Sequence, residues 1–281
     1  MQNPKYLNLL INAAAALTAV AIVGYVIYSA MYSDAVEPCG SRYPSAVRFP
    51  LSTPEGVPLT PAELQARAGV TDFGVIENAS VVSAENAPAP EVLEVQLRGV
   101  RHGADAAIPR TGIGFHWSPP GMSGARSACV AYSAWVPEGF DFSSGGVLPG
   151  VFGGASVAAN PVGADTISVR PGWNSTGAPT IGIIAEDSDR GRISGSGSTT
   201  MVTPGRWSRI EQEVILNAAG NPDGVARLWI DGALVAENSR LDMRANAATS
   251  LQGILFTIGY ARLPAQPGLM RVSPVEIAWR K

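Results

Sequence analysis

The sequence predicts an all-β domain preceded by one N-terminal transmembrane helix. Three observations carry that expectation: a charge-free apolar run from about Leu7 to Met31, a long C-terminal region of short strand-like stretches separated by turn residues, and an Asp231-Gly232 pair placed between two of them. With 281 residues, 46% hydrophobic and 15% charged, the chain has material for one sizeable core and does not have the composition of a disordered protein. A formal charge of −3 supplies no basic face for phosphates, so nucleic acid is not an expected partner. Apart from Lys5 and Lys281, every basic residue is an arginine, which leaves no internal lysine for chemistry.

The apolar run exceeds the roughly 20 helical residues that cross a bilayer core. A cleaved secretory signal is the rival reading, with Ser33-Asp34-Ala35 as a cleavage site, but its apolar stretch is usually about 7 to 15 residues. Lys5 precedes the run and Asp34 and Glu37 follow it, which orients the N-terminus inside. The expectation is a single-pass inner (cytoplasmic) membrane protein whose C-terminal domain is periplasmic or extracellular. Within the run, Asn8, Asn12, Ala15, Ala19 and Ile22 recur at helical spacing, a stripe of amides and small residues suited to packing on another membrane helix. The alternative is that Asn8 lies at headgroup level and alanine is frequent by composition. The partner implied by the stripe is an integral membrane protein complex.

Residues 1–6 then read as a cytoplasmic tail, 7–31 as the membrane helix, 32–90 as an extended linker with a short helix, and 91–281 as the β-domain. The short helix opens at Thr60-Pro61-Ala62-Glu63, where threonine caps, proline suits the first helical position and glutamate completes a capping box. Two cysteines, Cys39 in the linker and Cys129 in a predicted strand, are expected to form a disulfide if the domain lies in an oxidising compartment, the alternative being two unrelated thiols with Cys129 a small buried residue. Strands are predicted at 92–97, 130–136, 166–170, 180–184, 209–216, 225–230 and 251–258 from alternation and turn spacing. Asp231-Gly232 closes a tight hairpin, because both central residues of a type I′ turn need positive φ.

A set of ordered blocks carries a family resemblance. Gly145-Gly146-Val147-Leu148-Pro149-Gly150-Val151-Phe152-Gly153-Gly154 is similar to the cleft floor of the alginate and glucuronan lyases of polysaccharide lyase family 14, which reads roughly Gly-Gly-Lys-Leu-Pro-Gly-Leu-Tyr/Phe-Gly-Gly. Ser168-Val169-Arg170-Pro171-Gly172-Trp173, Pro204-Gly205-Arg206-Trp207, and Gly224 to Gly232 resemble later family blocks in the same order, as does the Tyr132 to Val136 strand before the floor. The resemblance implies a jelly-roll β-sandwich of two antiparallel sheets with a concave face for an acidic polysaccharide. It also implies β-elimination, which needs a neutralised carboxylate, a base for the C5 proton and an acid for the leaving oxygen.

Here the floor lysine is Val147, and the strand expected to bear a Tyr-x-Tyr reads Thr180-Ile181-Gly182-Ile183-Ile184. No tyrosine stands between Tyr132 and Tyr260. Ser168 and Arg170 are retained and, with Trp173, are the ligand-binding candidates; Arg170 reads equally as a carboxylate-paired sheet residue. His116 is the better of two histidines as a substitute base, though a satisfied sheet histidine is the plainer reading. Trp135, Trp207 and Trp229 read as core before sugar platforms. Glu186 to Arg190 has oxygen ligands at close spacing, yet a solvated loop accounts for it, and neither a metal nor another cofactor is expected.

The function read from the sequence is therefore a membrane-anchored, lyase-like but non-catalytic accessory or structural subunit. An anchored acidic-glycan-binding module is the first alternative. A uronate lyase with a rearranged site of Ser168, Arg170 and His116 is the second.

Overall fold

The computed structural model describes residues 14–24, 36–43, 45–68, 72–99, 110–154, 166–185, 191–195 and 199–281. The chain forms two compact units, Met1–Val36 and Glu37–Lys281. In the first, residues 14–24 form a helix, α1, about 16 Å long at 1.5 Å per residue. Its Leu17, Val20, Ile22 and Val23 side chains are exposed. Among the described residues no helix is long and apolar enough to cross a membrane, so they give the expected transmembrane helix no support. The flanks of that expected span, 7–13 and 25–31, lie outside the described residues.

The second unit begins with a 3-10 turn at Cys39–Ser41 and contains two short helices, α2 (Pro61–Arg67) and α3 (Val75–Asn78). α2 starts where the capping box requires: Glu63 N–H donates to Thr60 Oγ1 at 3.3 Å, and Thr60 N–H donates to Glu63 Oε2 at 2.8 Å. Among the described residues the strands are β1 (Val47–Arg48), β2 (Asp72–Phe73), β3 (Ala79–Val82), β4 (Val92–Leu97), β5 (Ile113–Trp117), β6 (Ser127–Trp135), β7 (Gly146–Val147), β8 (Gly150–Gly154) and β9 (Thr166–Trp173). They continue with β10 (Pro179–Ile184), β11 (Gly191–Ser194), β12 (Ser208–Ile215), β13 (Gly224–Ile230), β14 (Ala233–Leu241), β15 (Ser250–Tyr260), β16 (Gly268–Val272) and β17 (Glu276–Arg280).

Nine of these form one antiparallel sheet, ordered β14-β13-β12-β6-β16-β4-β3, with β17 also paired to β6 and β1 to β17. The other eight form a second, ordered β11-β10-β9-β7-β15-β5-β2, with β8 paired to both β15 and β9. The sheets enclose one core. Alternation sends Val130, Tyr132 and Ala134 of β6 inward from the first sheet, and Val169 of β9, Ile181 of β10 and Phe256 of β15 inward from the second. Asp231 and Gly232, at φ +49° and +83°, close the β13–β14 hairpin as the turn chemistry predicts.

The described residues of 37–90 are part of this sandwich and not a linker to it. Phe49, Leu51, Leu59 and Leu64 are buried in the common core, and the Phe49 ring lies 4.8 Å from Phe256 and 5.3 Å from Trp117. A stretch read as loop from its proline and glycine content thus packs through its few large apolar side chains, each stabilised by about 1.5–3 kcal/mol on burial. The Cys39–Cys129 disulfide is present, with Cα atoms 5.7 Å apart, and ties this segment to β6 across 90 residues of sequence. Beside it the buried Glu213 carboxylate accepts from Arg42 at 2.8 Å, Arg227 at 3.0 Å and the Tyr43 hydroxyl at 3.2 Å.

Candidate functional site

The outer face of the eight-stranded sheet carries the residues of interest, and strand register decides which of them meet. On β9, Ile167 and Val169 point into the core, which sends Ser168 and Arg170 outward. Arg170 stands opposite Gly182 of β10, Ser168 opposite Ile184 and Phe152 of β8, and Val147 of β7 opposite Gly172. Val147, Arg170, Gly172, Thr180, Gly182 and Ile184 line a depression of about 200 Å³. Glycine at 172 is required by packing, since a Cβ there would come 2.2 Å from the Gly146 carbonyl oxygen. At Gly182 a Cβ would meet only the Arg170 carbonyl, at 3.8 Å, so this glycine simply leaves the depression open.

Arg170 is the charge in this depression. Among the described residues it has no ion pair with a carboxylate, and burial lowers its pKa from the ordinary arginine value. A guanidinium with no carboxylate partner among the described residues is free to accept an anion. The buried Ser168 hydroxyl, two residues before it on the same face, has no hydrogen-bond partner among the described residues and does not itself line the depression.

His116 lies on the same face but apart. It pairs with Leu255, which pairs with Gly150, whose position is backed by the Arg170 Cα. At about 4.8 Å per strand the His116 and Arg170 backbones are roughly 14 Å apart. The His116 ring meets Phe152 edge-on at 4.8 Å, and burial lowers its pKa. The structure therefore sets Ser168 and Arg170 on one face of β9, with Arg170 alone of the two lining the depression, and leaves His116 apart from Arg170.

Trp173 is not a ligand platform. It is fully buried on the core side, against Phe140, Phe142 and Tyr260, because an odd-numbered residue of β9 faces inward. Trp229 is likewise buried, with the Arg42 guanidinium 5.8 Å from its ring. Trp135 and Trp207 line a different depression with Arg206 and Arg271, where Arg271 covers Trp135 at 4.9 Å and pairs with Glu94 at 2.8 Å.

Neither neighbouring tyrosine reaches the outer face. The Tyr132 hydroxyl is buried and donates to the Pro149 carbonyl at 3.0 Å. Tyr260 stacks on Phe140, and burial, with a smaller push from Asp141, raises its hydroxyl to about 12. Among the described residues the one grouping with metal-ligand atoms is Cys39, Cys129 and Glu211, and its sulfurs are spent in the disulfide. Glu186 to Arg190 and the stripe residues Asn8 and Asn12 lie outside the described residues; Ala15 and Ala19 are exposed on α1.

Residues 87–260 match the family model for polysaccharide lyase 14. The chain belongs to that family. Among solved structures, it is similar to a family 14 alginate lyase from Aplysia kurodai, at 18% identity and a TM-score of 0.64, covering 85% of this chain and 99% of that one. An alginate lyase from Chlorella virus matches at 15% identity and a TM-score of 0.63, over 78% and 97% of the two chains. An endo-β-1,4-glucuronan lyase from Trichoderma reesei matches at 13% identity and a TM-score of 0.50, over 75% and 89%. At such identities these likenesses establish the jelly-roll fold. A comparison with curated protein sequences finds no match. The half-buried Val147 stands beside Gly172, and the outward side chains of β10 at 180, 182 and 184 contain no ionisable group.

Proposed function

We propose that this chain is a glycan-binding member of its family, which holds the carboxylate of an acidic sugar on Arg170 without catalysing β-elimination. The observation that carries the reading is Arg170 itself, partly desolvated and without a carboxylate partner among the described residues, in a depression whose opposite wall is Val147. Arginine neutralises a uronate, which accounts for binding. Elimination further needs a group to take the C5 proton and one to protonate the leaving oxygen. Valine, glycine and isoleucine at 147, 182 and 184 supply neither, and His116 is roughly three strands away. Binding in the ground state alone gives no acceleration.

The same proposal places the sandwich outside the cytoplasm on a membrane anchor, as a single-pass inner-membrane protein with its N-terminus inside. Support comes from the apolar run of residues 7–31, from the uncovered Leu17, Val20, Ile22 and Val23 of α1, and from a disulfide of the kind that persists in oxidising compartments.

Calorimetric titration of the protein with oligomers of guluronate, mannuronate and glucuronate tests the site. Binding is expected to at least one, with loss of about tenfold or more in Arg170→Ala, and no rise in unsaturated-uronate absorbance. Product formation that disappears in both Arg170→Ala and His116→Ala would overturn this reading in favour of a rearranged lyase site.

A further inference from the structure

The segment 145–154, which brings Gly146 and Val147 to the depression and forms its glycine-rich floor, has few side chains of its own to fix its backbone. Between β7 and β8, Leu148 and Pro149 lie outside the strands, although the Leu148 N–H still donates to the Pro171 carbonyl at 2.9 Å, and glycines flank the pair at 145, 146, 150, 153 and 154. Glycine leaves the backbone its widest freedom and contributes no side chain to lock it. At Gly150 the fit is also tight, since a Cβ would come 2.3 Å from the Val169 carbonyl oxygen and 2.7 Å from the Arg170 Cα. A small shift of this segment therefore moves the backbone that carries Arg170.

Two polar side chains reach this floor from behind. Tyr132 of β6 and Gln212 of β12 both project from the nine-stranded sheet into the core, and both are fully buried. They are diagonal neighbours, because Ile210 is opposite Tyr132 and Gln212 is opposite Val130. Each gives its donor to a carbonyl of the other sheet. The Tyr132 hydroxyl donates to Pro149 O at 3.0 Å, and Gln212 Nε2 donates to Val169 O at 3.0 Å. The two acceptors immediately precede Gly150 and Arg170.

Core packing does not call for these residue types. Phenylalanine and methionine would fill the same space without burying a hydroxyl or an amide, and Gln212 Oε1 has no hydrogen-bond partner among the described residues. Their shared feature is the pair of carbonyls they engage, one on each side of the contact between Gly150 and Arg170.

We propose that Tyr132 and Gln212 are positioning residues, which pin the glycine-rich floor from the opposite sheet and so hold Arg170 at the height and direction needed to receive a carboxylate. The functional consequence rests on the acidic-glycan reading above; the mechanical one does not.

Amide hydrogen exchange on the full chain, measured for Tyr132→Phe, Gln212→Met and the double variant, separates the two. Tyr132→Phe removes one oxygen atom and Gln212→Met keeps an unbranched side chain of similar length, so both are expected to fold. Loss of a buried hydrogen bond should speed exchange at the amides of 148, 150, 151, 168–170 and 172 by about tenfold per variant, with β13 amides unchanged. The affinity for the acidic oligosaccharide bound by the unsubstituted protein should fall by about tenfold in parallel. Unchanged exchange at the floor overturns the proposal whatever happens to binding, as does acceleration spread evenly over both sheets. Faster floor exchange with affinity unaltered overturns the link to Arg170. If the unsubstituted protein binds no acidic oligosaccharide while floor exchange still accelerates, the pinning stands and the glycan-binding reading fails.

Discussion

Arg170 and Val147 are the two residues on which the reading of this molecule turns, and each is informative through what is absent around it. Val147 shares the outer face with Arg170 and stands opposite Gly172, so a cation introduced there would lie in the same depression. Val147→Lys should raise affinity for an oligouronate by about tenfold at low salt and steepen its salt dependence, while still giving no elimination product. Titration at two ionic strengths, with absorbance followed in parallel, checks this. His116 gives a pH signature of its own. Burial favours its neutral form in the folded state, so the unfolded chain binds the proton more readily. Stability should be insensitive to this group above its unfolded pKa of about 6.5 and should fall as pH drops below it. His116→Gln should flatten that part of the profile in thermal melts between about pH 7 and 5.

At the scale of elements, the N-terminal segment of the domain depends on a few fasteners. The disulfide joins positions 90 residues apart, and closing a loop of that length removes unfolded-state entropy worth about 4–5 kcal/mol. Cys39→Ser combined with Cys129→Ser should therefore lower the melting temperature substantially, and reduction of the native protein should reproduce the shift. The Arg42 and Tyr43 bonds to Glu213 keep part of the contact in either case. Removal of the α2 cap in Thr60→Ala should cost about 1 kcal/mol, read as a lower denaturant midpoint at constant slope. Both devices were legible in the sequence, the first from two cysteines and the expectation of an oxidising compartment, the second from a contiguous four-residue pattern. The central position of β16 and β17 was not. Each is five residues long, and their place beside β6 follows from long-range pairing that no local pattern encodes.

At the scale of the whole molecule, the proposed anchor and the sandwich make separable predictions. Full-length protein should remain with membranes after alkaline carbonate extraction and retain Lys5 in its mature N-terminal peptide. A mature terminus near Val36 would remove the anchor from the model of function while leaving the glycan site untouched. The compact unit Glu37–Lys281 contains the described core, both sheets and the disulfide, so glycan affinity is expected to be the same with or without the preceding residues.

The sequence by itself determined the all-β class, the β13–β14 hairpin, the α2 start, the family and the missing lysine and tyrosines. These are local or side-chain facts: period-two alternation, turn chemistry, a capping box and residue identity at motif positions. Tertiary structure decided what depends on register and on the opposite sheet. Register turned Trp173 inward and Arg170 outward on one strand, although both belong to the same motif. It placed His116 about three strands from Arg170, a distance that sequence separation does not measure. Packing drew the described residues of 37–90 into the core through apolar side chains such as Phe49, Leu51, Leu59 and Leu64, which composition had hidden among prolines and glycines. The one signal that sequence reasoning passed over was Gln212, an amide at an inward position of the alternating β12 stretch. Its meaning depends on the Val169 carbonyl facing it across the core, and only the folded chain brings the two together.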